Sequence, residues 1–175
     1  AALQLAENFF RRDLAPGELA RGLARIKLAE EVRRAEGVAR RAELLPPDYD
    51  AAAPLEERGS ALREVLGDAG YPWPEVSWAE AFRVAGFDPQ DPVLRSVRKL
   101  LAIPDPLLDR CDRLGVTRSA AEALAELGDD DRAARLLDAV EKAGDPGLVT
   151  PAVDLMVSDP SLDPAQAVAM VQSAR

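Results

Sequence analysis

Ser77-Trp78-Ala79-Glu80-Ala81-Phe82-Arg83-Val84-Ala85-Gly86, then Phe87-Asp88-Pro89-Gln90-Asp91, then Pro92-Val93-Leu94-Arg95-Ser96-Val97-Arg98-Lys99-Leu100-Leu101-Ala102 is the passage on which the reading of this chain turns. Ser77 and Glu80 stand three apart and form a capping box, whose hydroxyl and carboxylate satisfy the free amides that open a helix. Gly86 ends that helix, and Pro92 suits the first position of the next. The second helix spaces Leu94, Val97, Leu100 and Leu101 by threes and fours and carries Arg95, Arg98 and Lys99 with no acid. A helix, a glycine turn and a basic second helix is the order of a helix-turn-helix, which lays its second helix in the major groove of DNA. Arg and Lys there reach phosphates and guanine edges, and Gln90 in the turn offers an amide that pairs with adenine. An ordinary helical hairpin with a solvated basic face satisfies the same spacing, and the turn is longer than the usual three or four residues. Both readings stand at this point.

Elsewhere in the chain, Asp91-Pro92, Asp105-Pro106, Thr150-Pro151 and Asp163-Pro164 each place a capping residue before a proline and read as helix starts. Together with apolar spacings such as Ala133, Leu136, Leu137 and Val140, they predict helices near 16–36, 55–67, 77–85, 92–102, 105–113, 118–127, 130–142, 149–156 and 164–173. No alternating strand pattern emerges. The fold class expected is all-α, a multi-helix domain containing a helix-turn-helix, with a Pro/Ala-rich loop insertion. That loop is Leu45-Pro46-Pro47-Asp48-Tyr49-Asp50-Ala51-Ala52-Ala53-Pro54, kept out of a helix by its prolines. Trp73, in the break Tyr71-Pro72-Trp73-Pro74, is expected to pin its loop to the core.

Composition narrows the function classes. The chain is 47% hydrophobic and 30% charged but only 5% aromatic, the balance of a folded, helix-rich protein. It has one cysteine, Cys111, and no histidine, so thiolate or imidazole zinc sites and Ser-His catalysis are excluded. No run approaches the roughly 20 apolar residues of a bilayer span and no signal peptide opens the chain, so a cytoplasmic protein with no membrane contact is expected. The net charge is −9, yet residues 1–50 balance nine cations against nine acids, 51–103 hold six against eight, and 104–175 seven against fourteen. An acidic chain is a poor bulk ligand for a polyanion, so any DNA contact must be local. Asp129-Asp130-Asp131 lacks the alternating ligands of a calcium loop and reads as a helix cap. Glu30 and Glu31 are expected to be solvated partners of neighbouring arginines, not an acid/base pair. Leu136, Leu137, Val140, Leu155, Met156, Val168 and Met170 either close the core or meet a second subunit, burial being the default.

Three motifs in order carry a family resemblance. Glu7-Asn8-Phe9-Phe10-Arg11-Arg12-Asp13-Leu14 resembles the Glu-Asn-x-x-Arg-x-Asp-Leu motif that closes the N-terminal nucleotide-binding domain of the ParB family of partition proteins. Ser77 to Pro104 is similar to that family's helix-turn-helix and its closing Leu-Leu-x-Leu-Pro-like phrase, here Leu100-Leu101-Ala102-Ile103-Pro104. Leu114-Gly115-Val116-Thr117-Arg118-Ser119-Ala120-Ala121-Glu122-Ala123-Leu124 is similar to the helix behind the reading head. The resemblance covers roughly residues 3–128, interrupted between about 37 and 75. The turn is about two residues longer than the family's, Ala120 and Glu122 stand where the family often has His and Arg, and the Gly-Glu-Arg-Arg phosphate-binding motif is absent.

The resemblance implies residues 1–15 as the end of a nucleotide-binding domain, 16–44 as a connecting helix, 45–75 as an insertion, 76–128 as the DNA-binding region and 129–175 as acidic C-terminal helices. The first residues carry neither a start methionine nor a cap, and the chain reads as beginning inside a larger protein. By resemblance Glu7, Asn8 and Arg11 would help bind CTP and its magnesium ion in the full-length protein, with no cofactor in this chain alone. Asn8 and Asp13 serve equally well as caps for the helix starting near Pro16. Gln90, Arg95, Ser96, Arg98 and Lys99 would face double-stranded DNA. A homodimer and a partition ATPase are the implied protein partners. The expected function is site-specific DNA binding in plasmid or chromosome partition or in transcription regulation; the alternative is an acidic helical protein–protein interaction module. No catalytic residue is expected.

Overall fold

A computed structural model of the chain describes residues 14–84, 86–90, 92, 94 and 98–174. Among these the fold is all-α: eight α-helices and two short 3-10 turns, and no strand. The helices are α1 (Pro16–Arg41), α2 (Leu55–Asp68), α3 (Trp78–Val84), α4 (Asp105–Leu114), α5 (Arg118–Ala125), α6 (Asp130–Ala143), α7 (Val149–Ser158) and α8 (Pro164–Ser173). The 3-10 turns are Arg98–Ala102 and Pro146–Leu148. Two compact units divide the described residues, one holding 22–84 and 86–90 and the other 14–21 together with 92, 94 and 98–174.

In the first unit, Val32, Ala35 and Ala39 of α1 and Leu62 and Leu66 of α2 form a buried cluster. Leu44, Leu45, Tyr49 and Trp73 pack against it, so the Pro/Ala-rich stretch is fixed to the hairpin instead of hanging free. Tyr49 donates its hydroxyl to Glu36 Oε1 at 2.5 Å, and Arg58 donates to the same oxygen. Burial pushes the Glu36 carboxyl up, but these two partners prevail and hold it below the usual carboxylate range. α1 is longer than its sequence pattern indicates, continuing past Glu36 to Arg41, since Ala39 remains on its buried stripe.

Glu30 and Glu31 are buried at 4% and 6% exposure, a correction to their expected solvation. The expected ion pairs exist, and they are what makes burial tolerable: an unpaired carboxylate there would neutralise itself. Glu30 accepts from Arg33 Nε at 2.8 Å and Arg34 Nε at 2.9 Å. Glu31 accepts from Trp73 Nε1 at 3.1 Å and from the Val76 amide at 3.3 Å, and lies 3.2 Å from Lys27 Nζ. Trp73 is thus pinned by its indole N–H as well as by packing, while Arg63 stacks 4.2 Å over its ring.

In the second unit, α8 packs on α6 and α7, α5 on α7 and on the Arg98–Ala102 turn, and α4 on α6. Leu136, Leu137, Val140, Met156 and Val168 are buried, as their spacing requires, but Met170 is 52% exposed. Arg110 ties α4 to α6 by reaching Asp138 at 2.5 Å and Glu141 at 2.7 Å. The thiol of Cys111 is fully enclosed, and burial pushes it up to about 11.

The proline-marked starts divide. Asp163 caps α8 through the Ala165 amide at 2.9 Å, and Asp129 caps α6 through the Arg132 amide at 3.0 Å. Asp105 is not a cap but the first helical residue after Pro104. Thr150 lies inside α7, because the Pro146–Leu148 turn runs directly into that helix and its carbonyl at Pro146 already takes the Val149 amide. The cap is Asp145, which accepts from Gly147 at 2.8 Å. Asp91 lies outside the described residues.

Candidate nucleic-acid interface

Ser77 Oγ accepts the Glu80 amide at 3.2 Å and opens α3, the hydroxyl half of the expected capping box. The carboxylate of Glu80 bonds Arg34 of α1 instead of reaching back to the Ser77 amide. At the far end Gly86 has a φ of 86°. Its amide bonds the Arg83 carbonyl at 3.1 Å and the Phe87 amide bonds the Phe82 carbonyl at 2.8 Å, the paired closure of a Schellman motif. The hydrophobic contact that accompanies this motif is present too, with Phe87 and Phe82 edge to face at 6.4 Å. Asp88 then accepts the Gln90 amide at 2.9 Å, turning the chain. Gln90 is exposed and belongs to the first unit.

Pro92 and Leu94 are helical, Leu94 with 1% exposure. Arg95 and Ser96 lie outside the described residues, as do Glu7, Asn8, Arg11 and Asp13. Arg98 and Lys99 follow in the second unit, both exposed, on a stretch expected to be α-helical that is instead 3-10 from Arg98 to Ala102. The tightening has a local cause: Pro104 cannot continue a helix, and the Ile103 amide closes back on the Leu100 carbonyl at 3.1 Å. Leu100, with no exposed surface, and Ile103 anchor this turn.

Lys99 Nζ does not simply face water. It meets Glu126 Oε1 at 2.7 Å, and this hydrogen bond raises its pKa. Glu126 caps the C-terminus of α5, whose N-terminus is held by Thr117 Oγ1 accepting from the Ala120 amide. Ala120 is buried and Glu122 pairs with Arg118 at 3.3 Å, so the two positions that depart from the ParB pattern serve packing and local charge balance. The pairing of Lys99 was missed by sequence reasoning, because Glu126 is 27 residues away and no spacing rule links them.

Close by, Ala102, Ile103, Leu107, Leu124, Asp129 and Ala133 are among the residues lining a cavity of about 380 Å³. Among the described residues no group of acids and cysteine is arranged to hold a metal ion, and no helix is long and apolar enough to cross a membrane. No family model, curated protein or solved structure matches the chain.

Proposed function

We propose that the chain is a ParB-like site-specific DNA-binding protein, acting in plasmid or chromosome partition or in transcription regulation. The observation that carries this is the exposed pair Arg98 and Lys99, on a turn anchored by the buried Leu100. They end a run from Pro92 that contains three cations and no acid in a chain of net charge −9. Such a run concentrates the one kind of charge that phosphates recognise. Arg95 and Ser96 precede them and join the proposed surface by sequence position, and Gln90, in the turn upstream, enters through the sequence pattern alone. Nucleotide and magnesium at Glu7, Asn8 and Arg11, a homodimer, and a partition ATPase enter only through the family resemblance.

A second reading, an acidic helical module that binds another protein, is favoured by the excess of acid beyond residue 103, fourteen against seven cations, and by the exposure of Val157 and Met170 at 54% and 52%. Salt separates the two. Duplex binding through phosphates weakens linearly in a log–log plot, by about 0.9 per contact. The expected result is a clear slope for the intact chain that becomes shallower by about 2 to 3 when Arg95, Arg98 and Lys99 are all changed to Ala. A chain that binds no duplex at low salt while folded would overturn the reading.

A further inference from the structure

We propose that Glu126 is a specificity-determining residue of the DNA-binding surface, holding Lys99 away from the phosphates of unmatched DNA and yielding it only in the closely fitted complex. The inference rests on the DNA-binding reading above. Both members of the pair are held at their backbones: Lys99 sits one residue before the fully buried Leu100, and the Glu126 amide is bonded to the Ala123 carbonyl at 2.9 Å at the end of α5. α5 packs directly on the Arg98–Ala102 turn, so the 2.7 Å contact joins two fixed elements and not two wandering tips. Glu122, one helical turn before Glu126, adds a second negative charge that also favours the charged ammonium.

The chemistry follows from what phosphates offer. A lysine that meets a phosphodiester releases one counterion and adds one unit of salt-dependent affinity. A lysine already neutralised by a carboxylate adds nothing until a phosphate comes close enough to displace it, and until then the carboxylate repels the backbone. A loosely held, unmatched duplex does not approach that closely. A matched duplex, drawn in by its base contacts, does. Withholding one cation from the first case and not the second widens the ratio between them, which is how a repulsive element creates discrimination. Both side chains are half-exposed, 50% and 53%, so the pair can open without unfolding anything.

The test uses the intact chain, its Glu126→Gln variant and the double variant with Lys99→Ala. Each is titrated with a random-sequence duplex and with the duplex that the parent enriches from a random pool, over a range of salt. Glu126→Gln is expected to raise affinity for the random duplex roughly threefold to tenfold and to steepen its salt slope by about 0.9, while affinity for the selected duplex changes less than about twofold. Lys99→Ala in the same chain is expected to cancel the gain. If the parent enriches a sequence but Glu126→Gln leaves random-duplex affinity and slope unchanged, or raises both duplexes alike, the inference is overturned and the DNA-binding reading survives. If neither folded protein binds any duplex, the reading falls and the inference with it.

Discussion

Asp112 Oδ1 accepts the backbone N–H of Gly17 at 2.9 Å across a separation of 95 residues, so the opening turn of α1 is capped by a carboxylate from α4. The same side chain meets Arg21 Nη2 at 3.2 Å, and Asp109 takes Arg21 Nη1 at 2.9 Å. A free amide at a helix start and the positive end of its dipole both favour an anion there. Asp112→Ala is therefore expected to lower stability by about 1 to 2 kcal/mol, and Asp112→Asn by less, because an amide oxygen still caps. Urea midpoints of the three proteins check this; equal midpoints would remove the cap from the list of stabilising contacts.

The buried carboxylate of Glu31 organises its surroundings by accepting from Trp73 Nε1 and the Val76 amide. Removing the acceptor leaves two donors in a place water scarcely reaches. Glu31→Ala should cost about 2 to 4 kcal/mol and shift tryptophan emission to the red as Trp73 loosens. A stable variant with unchanged emission would show that packing alone holds the loop.

Glu30 gives the first unit a pH dependence. The hydrogen bond from Arg33 outweighs burial and, with Arg34, lowers its carboxyl from 4.5 to about 2. A folded value below the unfolded one means that the stabilisation is complete above 4.5 and is lost as pH falls toward about 2. Urea midpoints between about pH 5 and about pH 2 should fall, and Glu30→Gln should flatten that decline. An identical decline in the variant would assign the acid sensitivity to other groups.

Gly86 and Gly67 make a matched pair, because an added Cβ would meet nothing within 4 Å at either position. Only Gly86 has a left-handed φ, of 86°, so Gly86→Ala isolates backbone strain and should cost about 1 to 2 kcal/mol. Gly67 lies in α2, and Gly67→Ala should stabilise by about 0.5 to 1 kcal/mol. Thermal midpoints moving in opposite directions are the expected outcome; a shift of the same sign in both would contradict it.

What the sequence discloses and what it hides divide along the distance over which the cause acts. Ser77, Asp129, Asp163 and Gly86 mark helix ends because each acts on amides or carbonyls two to five residues away. The apolar stripes of α1 and α6 are equally local, and so the all-α class is readable. Asp105 and Thr150 carry the same cap-then-proline signature and do not cap, since the neighbouring Pro104 and the Pro146–Leu148 turn reset where each helix begins. The burial of Glu30 and Glu31, the remote cap from Asp112 and the Lys99–Glu126 contact depend on residues brought together only by folding. The basic run that motivates the DNA reading was legible as charge, but its 3-10 ending and its carboxylate partner were not.

Selection of the intact chain on a pool of random duplex DNA at moderate salt, beside a variant with Arg95, Arg98 and Lys99 all changed to Ala, decides whether this is a sequence reader. Enrichment of one sequence by the parent and none by the folded variant is the predicted result, and it places the reading surface at the end of the basic run. No enrichment by either folded protein would contradict site-specific binding and favour the acidic interaction module.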